Sequence, residues 1–251
     1  MSDDGGTPVR GGSFYDAPGV FETYREHRHG GTSSANIVME EPAVLAELGS
    51  LAGKRVLDLG CGDATFGRTA LATGARSYLG VDGSNAMVGR ARDVLAGTGG
   101  AVVLGDLEDF DAEPGAFDVV VSRMALHYLA DLGPTLAACR RSLAPGGQLL
   151  VTVVHPVITA RQAQVAPGLR TSWLVDDFFV PGPRERAWMG STVTWHHRTT
   201  EDYVREIAAA GFRLTGLREC EPVPARFDGD AAELARRRRV PVFLLLAAAR
   251  D

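Results

Sequence analysis

Short apolar runs alternate with helical patterns through the middle of the chain. The apolar runs cover residues 55–59, 78–82, 101–104, 117–122 and 148–154, and the helical patterns cover residues 65–72, 85–95 and 132–143. Strands that alternate with helices at this spacing connect by right-handed crossovers into a parallel sheet. Strands buried on both faces of such a sheet read as continuous apolar runs, as these do. The pattern therefore predicts an α/β fold with a doubly wound, mostly parallel sheet.

Three segments depart from this alternation. Residues 1–13 are polar and rich in glycine, which predicts a flexible tail without catalytic residues. Residues 155–198 contain four prolines, three tryptophans and little periodicity, which indicates a lid-like insertion. Near the C-terminus only a short helix joins the last two predicted strands, so the final strand, the seventh, is expected to be antiparallel. We predict a single domain over residues 14–251, divided into N-terminal cap helices 14–43, a core 44–154, the insertion 155–198, and a C-terminal helix with the final strand pair 199–251.

Composition restricts the class of protein. The 251 residues include 26 Lys and Arg against 31 Asp and Glu, a net charge of −5, whereas proteins that bind nucleic acid usually present a basic stripe. No apolar stretch reaches the roughly 18 to 20 residues of a membrane span, and the first residues lack the apolar core of a signal peptide. Three isolated cysteines form neither a disulfide framework nor a zinc motif. We therefore expect a cytoplasmic protein that binds no nucleic acid, membrane or metal.

The turn after the first predicted strand is rich in glycine. Gly60 and Gly62 stand between that strand and a helix, where glycine lets the backbone approach a ligand closely. A dinucleotide fingerprint needs a third glycine, but that position is Thr65, which disfavours a nicotinamide-dependent oxidoreductase. Asp58, just before the turn, would repel a pyrophosphate but suits a ligand with a cationic amino group.

Four motifs occur in one order and spacing. They are VLDLGCGDA at 56–64, GVD at 80–82, GDL at 105–107 and LAPGG at 143–147. Through them the chain resembles the class I S-adenosylmethionine-dependent methyltransferases of the small-molecule type, over about residues 44–154. The resemblance implies a seven-stranded Rossmann-like sheet, S-adenosylmethionine as cofactor and S-adenosylhomocysteine as product.

The resemblance also implies how the cofactor is held. Gly60 and Gly62 would lie against its amino acid part, and Asp58 would reach the ammonium group directly or through water. Asp82 ends the second strand, where its two oxygens can accept from both ribose hydroxyls. Asp58 has a second interpretation, in which it only braces the amides of the turn.

The remaining expected contacts surround the adenine and the methionine part. Asp106 would accept from the adenine amino group, unless it only caps a helix, and Leu107 would offer a backbone N–H. Met87 and Met124 would enclose the purine or the sulfonium. Tyr24 and Arg28 share one helix face, where they form either a cover over the methionine part or a solvated pair. Cys61, Gly83 and Arg123 complete the set of expected cofactor contacts. We expect Cys61 to pack rather than to act as a nucleophile, because no base is paired with it.

Three histidines are candidates for a general base that takes a proton from the acceptor. His155 follows the fifth strand and is the first choice, although the adjacent Pro156 allows a purely structural role. His127 follows the fourth strand and is alternatively a packing or cofactor-contact residue. His197 lies near the end of the insertion, and with His196 it makes a poor metal site.

The acceptor is expected to be a small molecule. Methyltransferases that act on base amino groups share a [DNS]-P-P-[YFW] motif after the fourth strand, but residues 122–125 here read SRMA. Aromatic residues in the insertion either bind an apolar or aromatic acceptor or form a small core of the insertion itself. A single lysine among the 26 basic residues indicates a GC-rich bacterial genome. We therefore expect O- or N-methylation of a small metabolite, in bacterial secondary metabolism. The alternative is a protein that binds S-adenosylmethionine without transferring methyl, as a scaffold or a cyclase.

Overall fold

The computed structural model describes residues 11–29, 34–160 and 173–251. Within these residues seven strands form one sheet and two further strands form a separate hairpin. The strands are β1 Arg55–Leu59, β2 Ser77–Asp82, β3 Ala101–Leu104, β4 Phe117–Arg123, β5 Leu143–Val154, β6 Gly182–Trp188, β7 Ser191–His197, β8 Arg213–Glu219 and β9 Phe243–Ala249. The helices are α1 Gly11–Phe14, α2 Val20–His29, α3 Glu41–Leu48, α4 Thr65–Ala72, α5 Asn85–Leu95, α6 Gly133–Ser142, α7 Pro156–Thr159, α8 Thr200–Ala209 and α9 Ala231–Arg237. A π-helical turn, Asn36–Glu40, leads into α3, and single 3₁₀ turns lie at Leu107–Asp109, Leu126–Tyr128 and Pro224–Arg226.

The order of the large sheet is β3-β2-β1-β4-β5-β9-β8. Strands β1 to β5 are parallel, and β9 runs antiparallel to both of its neighbours, β5 and β8. The predicted fold, a seven-stranded, mostly parallel sheet with an antiparallel last strand, is confirmed. In parallel strands all carboxyl ends share one edge, so the loops after β1, β2, β3 and β4 meet there.

Alternate residues of each central strand enter two apolar layers, one on either face of the sheet. Leu57, Leu59 and Val120 belong to one layer, while Val56 and Tyr78 belong to the other. Both faces are covered, which explains why the strand sequences are apolar throughout instead of alternating.

Two predicted boundaries differ from the structure. Strand β5 begins at Leu143 rather than at 148, because Leu143 already pairs with Phe117 and an irregularity in the register then accommodates the LAPGG motif at 143–147. Residues 11–13 were expected in the flexible tail, but they belong to α1, so the tail prediction is wrong there. Residues 1–10 lie outside the described residues.

The insertion contains regular structure that the sequence pattern did not indicate. Strands β6 and β7 form an antiparallel hairpin, in which Met189 and Gly190 have positive φ angles of 50° and 78°, as a tight type I′ turn requires. Val193 and Trp195 on β7 are buried and form a roof cluster with Phe14, Val20 and Val154. The expectation of little regularity in 155–198 is therefore wrong for this hairpin, and residues 161–172 are not described.

In the described part of the chain, no helix is both long enough and apolar enough to cross a membrane. The same residues contain no group of three or more His, Cys, Asp or Glu side chains placed to hold a metal ion.

Candidate active site

A cavity of about 390 Å³ lies at the carboxyl edge of the parallel strands, beneath α1, α2 and the β6–β7 hairpin. Thirteen of the sixteen predicted site residues line it: Tyr24, Asp58, Gly60, Cys61, Gly62, Asp82, Gly83, Met87, Asp106, Leu107, Arg123, Met124 and His127. Arg28 lies in α2, but its side chain is outside the described part of the structure. The cavity does not include His155 or His197.

The glycine turn and Asp82 form one hydrogen-bonded unit. Gly62 N–H donates to Asp82 Oδ2 at 2.8 Å and Ser84 N–H donates to Oδ1 at 3.0 Å. Burial raises the pKa of Asp82, and the two amide hydrogen bonds oppose that shift. Because an ionised carboxylate has about four acceptor positions, each oxygen keeps one position for a ligand. Gly60 has φ +74°, and a Cβ there would overlap the methyl group of Ala125, so only glycine fits this turn.

Asp58 presents a buried carboxylate oxygen that has no partner. The Tyr78 hydroxyl donates to Asp58 Oδ2 at 2.7 Å, while Oδ1 is buried without a hydrogen bond. Burial raises the pKa of Asp58 to about 6, and the Tyr78 hydrogen bond opposes this rise. A buried acceptor without a donor is costly unless a ligand supplies one. Asp58 therefore fits a cationic group, and Tyr78 is a site residue that sequence reasoning missed.

The part of the cavity around Asp106 involves the first described residues. A Cβ at Gly83 would lie 3.0 Å from Asp106 Oδ1 and 3.2 Å from the Cα of Gly12, so three segments converge there. Gly11 and Gly12 line the cavity with the predicted Asp106. Sequence reasoning assigned these two glycines to the tail, because nothing in their local pattern indicates a close backbone contact.

Arg123 belongs to a buried ion pair. Its Nε and Nη2 donate to Glu40 Oε1 at 2.9 Å and Oε2 at 2.5 Å, and Thr152 Oγ1 donates to Glu40 Oε1 at 2.8 Å. The side chains of Arg123 and Glu40 are 9% and 0% exposed. Glu40 raises the pKa of Arg123 against the effect of burial, so the guanidinium stays charged. Glu40, which the sequence pattern did not single out, thereby joins the turn before α3 to β4 and β5.

His127 is the one predicted catalytic histidine that lines the cavity. It is 1% exposed, and its Nδ1 is buried without a hydrogen bond. Burial and the neighbouring positive charge of Arg198 lower the pKa of His127 to about 3. Its ring lies 4.5 Å from that of Tyr128 and 5.4 Å from that of Trp195, measured between centroids. The imidazole is therefore neutral at physiological pH and faces an aromatic environment.

His155 and His197 have structural partners instead. His155 Nδ1 accepts from Val157 N–H at 3.1 Å, capping α7, and its Nε2 lies 3.4 Å from Glu219 Oε1 without forming a hydrogen bond. His197 Nδ1 lies 2.7 Å from Thr159 Oγ1 and its Nε2 lies 2.8 Å from Phe178 O. The prediction that these two histidines face the ligand is wrong, because the strand ends turn their rings towards backbone and neighbouring loops.

Aromatic side chains form one wall of the cavity, which we call the aromatic wall. The Tyr15 and Tyr128 hydroxyls lie 2.9 Å apart, and the Tyr15 ring is 5.2 Å from that of Tyr24. Trp188 and Trp195 from the hairpin extend this wall. Burial raises the pKa of Tyr128 to about 12, so this phenol stays neutral. The wall therefore presents apolar ring faces to the cavity, and the Tyr15 and Tyr128 hydroxyls are hydrogen-bonded to each other.

The cavity as a whole fits a nucleoside that carries a cationic amino acid. It has a buried carboxylate beside the glycine turn with an unpartnered oxygen, and a second carboxylate that retains acceptor positions at the end of β2. Together with the parallel sheet, this arrangement is typical of α/β proteins that bind a nucleotide-like cofactor.

Comparison with known proteins gives the family. Residues 56–147 match the family described as "Methyltransferase domain". An S-adenosylmethionine-dependent methyltransferase from Mesorhizobium loti is 32% identical, with a TM-score of 0.77 over 88% of this chain and 100% of that chain. A putative S-adenosylmethionine-dependent methyltransferase from Listeria monocytogenes is 30% identical, also with a TM-score of 0.77, over 84% of this chain and 96% of that one. The ubiquinone biosynthesis O-methyltransferase of Aromatoleum aromaticum is 37% identical over 108 residues, which is 42% of this chain and 46% of that relative.

The chain belongs to the class I S-adenosylmethionine-dependent methyltransferases. It is an enzyme, and its cofactor is S-adenosylmethionine. The family predicted from the four sequence motifs is confirmed.

Proposed function

We propose that the protein methylates an oxygen or nitrogen atom of a small metabolite that binds in the cavity against the aromatic wall. The observation that carries this proposal is the roof over the cavity, where Phe14 and Val20 pack against Val193 and Trp195 of the hairpin. A roof of this kind leaves room for a compact acceptor and little access for a macromolecule. The similarity of the core to an O-methyltransferase favours oxygen as the acceptor atom.

The chain's own residues would hold the cofactor by its two polar ends. The unpartnered Oδ1 of Asp58 would accept from the ammonium group, and both oxygens of Asp82 would accept from the ribose hydroxyls. Asp106 would accept from the adenine amino group, beside the backbone N–H of Leu107. When bound, S-adenosylmethionine supplies a methyl group on positively charged sulfur, which is an activated leaving group.

His127 would act on the acceptor side. Its neutral imidazole can take a proton from an acceptor hydroxyl as the oxygen attacks. The pKa of about 3 keeps the imidazole neutral and available, but it also makes His127 a weak base. Holding the acceptor in line beneath the roof, with water excluded, would therefore supply the larger share of the rate acceleration.

The test is transfer of labelled methyl from S-adenosylmethionine to a panel of small hydroxyl and amine metabolites that carry an apolar or aromatic part. We expect one subset of the panel to be labelled. The variant His127→Ala should then lower kcat by roughly 100-fold at unchanged cofactor affinity, and His196→Ala serves as the control outside the cavity. A larger loss of kcat in His155→Ala than in His127→Ala would refute the assignment of the base. Tight cofactor binding without label in any acceptor would favour the non-transferring alternative.

A further inference from the structure

The Asp58 carboxylate is held from one side only. Tyr78 Oη donates to Oδ2 at 2.7 Å, and both residues are 2% exposed. The other oxygen, Oδ1, has no partner although it is buried. A phenylalanine at position 78 would fill the same apolar space, so packing alone does not account for the hydroxyl group.

The register of the sheet explains how the ring reaches the carboxylate. Val56 lies opposite Tyr78 and Asp58 lies opposite Gly80, so Tyr78 and Gly80 are on the same face of β2. A Cβ at Gly80 would lie 3.3 Å from Tyr78 Cε1 and 2.7 Å from the Cys61 sulfur. The missing side chain therefore leaves a path along which the phenol extends towards Asp58.

A second glycine accommodates the other side of the ring. Gly67 lies in α4, and a Cβ at this position would overlap the ring atoms of Tyr78. Glycine inside a helix lowers helix stability by about 1 kcal/mol relative to alanine. The space that the Tyr78 ring needs explains why glycine occurs here. Gly67 and Gly80 together form a slot that fits a tyrosine ring directed at Asp58.

We propose that Tyr78 is a positioning residue for the cofactor: its hydroxyl fixes Oδ2 of Asp58 and leaves Oδ1 to receive the ammonium group of S-adenosylmethionine. This inference rests on the proposed assignment of Asp58 to the ammonium. It assigns to β2 a second role in cofactor binding, besides that of Asp82 at the end of the same strand.

The charges around Asp58 predict how binding of the cofactor should depend on pH. Burial raises the pKa of Asp58, as do the negative charges of Asp82 and Glu40, whereas the Tyr78 hydrogen bond and the positive charge of Arg123 lower it. Loss of the hydroxyl therefore raises the pKa further. At a given pH a smaller fraction of Asp58 is then ionised, and binding of a cationic ammonium weakens.

The experiment compares two ligands that differ in the amino acid part. S-Adenosylhomocysteine carries the ammonium, and 5′-methylthioadenosine lacks the whole amino acid moiety. The melting temperatures of the wild-type protein and the Tyr78→Phe variant are compared first. Both ligands are then titrated calorimetrically into each protein between pH 5 and 8. For Tyr78→Phe we expect roughly tenfold weaker binding of S-adenosylhomocysteine, the effect of one hydrogen bond to a charged group, and unchanged binding of 5′-methylthioadenosine. The pH midpoint of S-adenosylhomocysteine binding should move to higher pH.

Two results would overturn the proposal: equal affinity of both proteins for S-adenosylhomocysteine with an unmoved midpoint, or equal weakening for both ligands. Asp58→Asn serves as the reference variant. If it leaves S-adenosylhomocysteine binding unchanged, the assignment of Asp58 to the ammonium fails as well; if it weakens that binding while Tyr78→Phe does not, only the role of Tyr78 fails. Should Tyr78→Phe not fold, Gly67→Ala, which displaces the ring and retains the hydroxyl, is expected to give the same ligand-selective loss.

Discussion

Replacement of Asp82 by alanine tests the site most directly, because this carboxylate has two sets of partners. It accepts from the backbone N–H groups of Gly62 and Ser84, and it keeps one acceptor position on each oxygen for the ribose. A charge-assisted hydrogen bond contributes about 1.5 kcal/mol at the lower end of its range. Loss of two such bonds to the ribose predicts about 3 kcal/mol, or roughly 150-fold weaker cofactor binding.

The same change also leaves two buried N–H groups unpaired, so loss of affinity alone would not prove contact with the ribose. The informative assay is calorimetric titration with S-adenosylhomocysteine and with its 2′-deoxy analogue. Wild-type protein should bind the analogue about tenfold more weakly, the cost of one hydrogen bond to a charged group. Asp82→Ala should bind both ligands equally, and weakly.

Asp82→Asn provides the matched control. It retains one oxygen to accept from Ser84 N–H, but it removes the charge and one of the two acceptors. We expect an affinity between those of the wild type and Asp82→Ala. If Asp82→Ala still discriminates tenfold between the two ligands, the ribose is bound elsewhere and the reasoning is refuted.

Three further outcomes follow from the site. Affinity for S-adenosylhomocysteine should fall about tenfold from pH 7 to pH 5, because Asp58, with a pKa of about 6, is protonated over that range; a flat profile would exclude it as the ammonium partner. Glu40→Gln should lower the free energy of unfolding by about 3 kcal/mol or more, since Arg123 then keeps an uncompensated buried charge. Urea titration measures the free energy of unfolding of both variants. The control Glu201→Gln removes one partner of an exposed ion pair and should change that free energy by under about 1 kcal/mol. Equal losses of stability in Glu40→Gln and Glu201→Gln would contradict the argument. Gly60→Ala should lower the free energy of unfolding by about 1 to 2 kcal/mol or more, because residue 60 has a positive φ. It should also abolish detectable cofactor binding in the same calorimetric assay. Near-normal affinity would show that the turn adapts.

The sequence predicts well what depends on local pattern. Gly60 and Gly62 predict the turn because glycine is the residue that readily adopts the positive φ angles found there. Asp82 is located by its position at the end of an apolar run. In a parallel sheet these positions meet at one edge whatever the details of packing. The fold and most of the residues that line the cavity could therefore be predicted.

What could not be predicted depends on register and on side-chain direction. Tyr78 reads as one more apolar strand residue, and only its alignment opposite Val56, beside Gly80, brings the hydroxyl to Asp58. His155 was expected to face the ligand because it ends β5, but the first turn of α7 directs its ring to the Val157 amide instead. The β7 strand alternates buried and less buried residues, yet the neighbouring prolines and tryptophans obscure that period of two.

The roof cluster has a consequence for the speed of the catalytic cycle. Of its five buried members only Val154 belongs to the sheet, while Phe14, Val20, Val193 and Trp195 come from the chain's beginning and from the hairpin. The two layers that flank the sheet have no member in common with this set. Because this cluster shares no buried member with those layers, we expect its segments to open as a local unit, at a free energy below that of global unfolding. We therefore expect amide hydrogens in α1 and β7 to exchange well before those in β1 and β4, and we expect product release to need only this local opening.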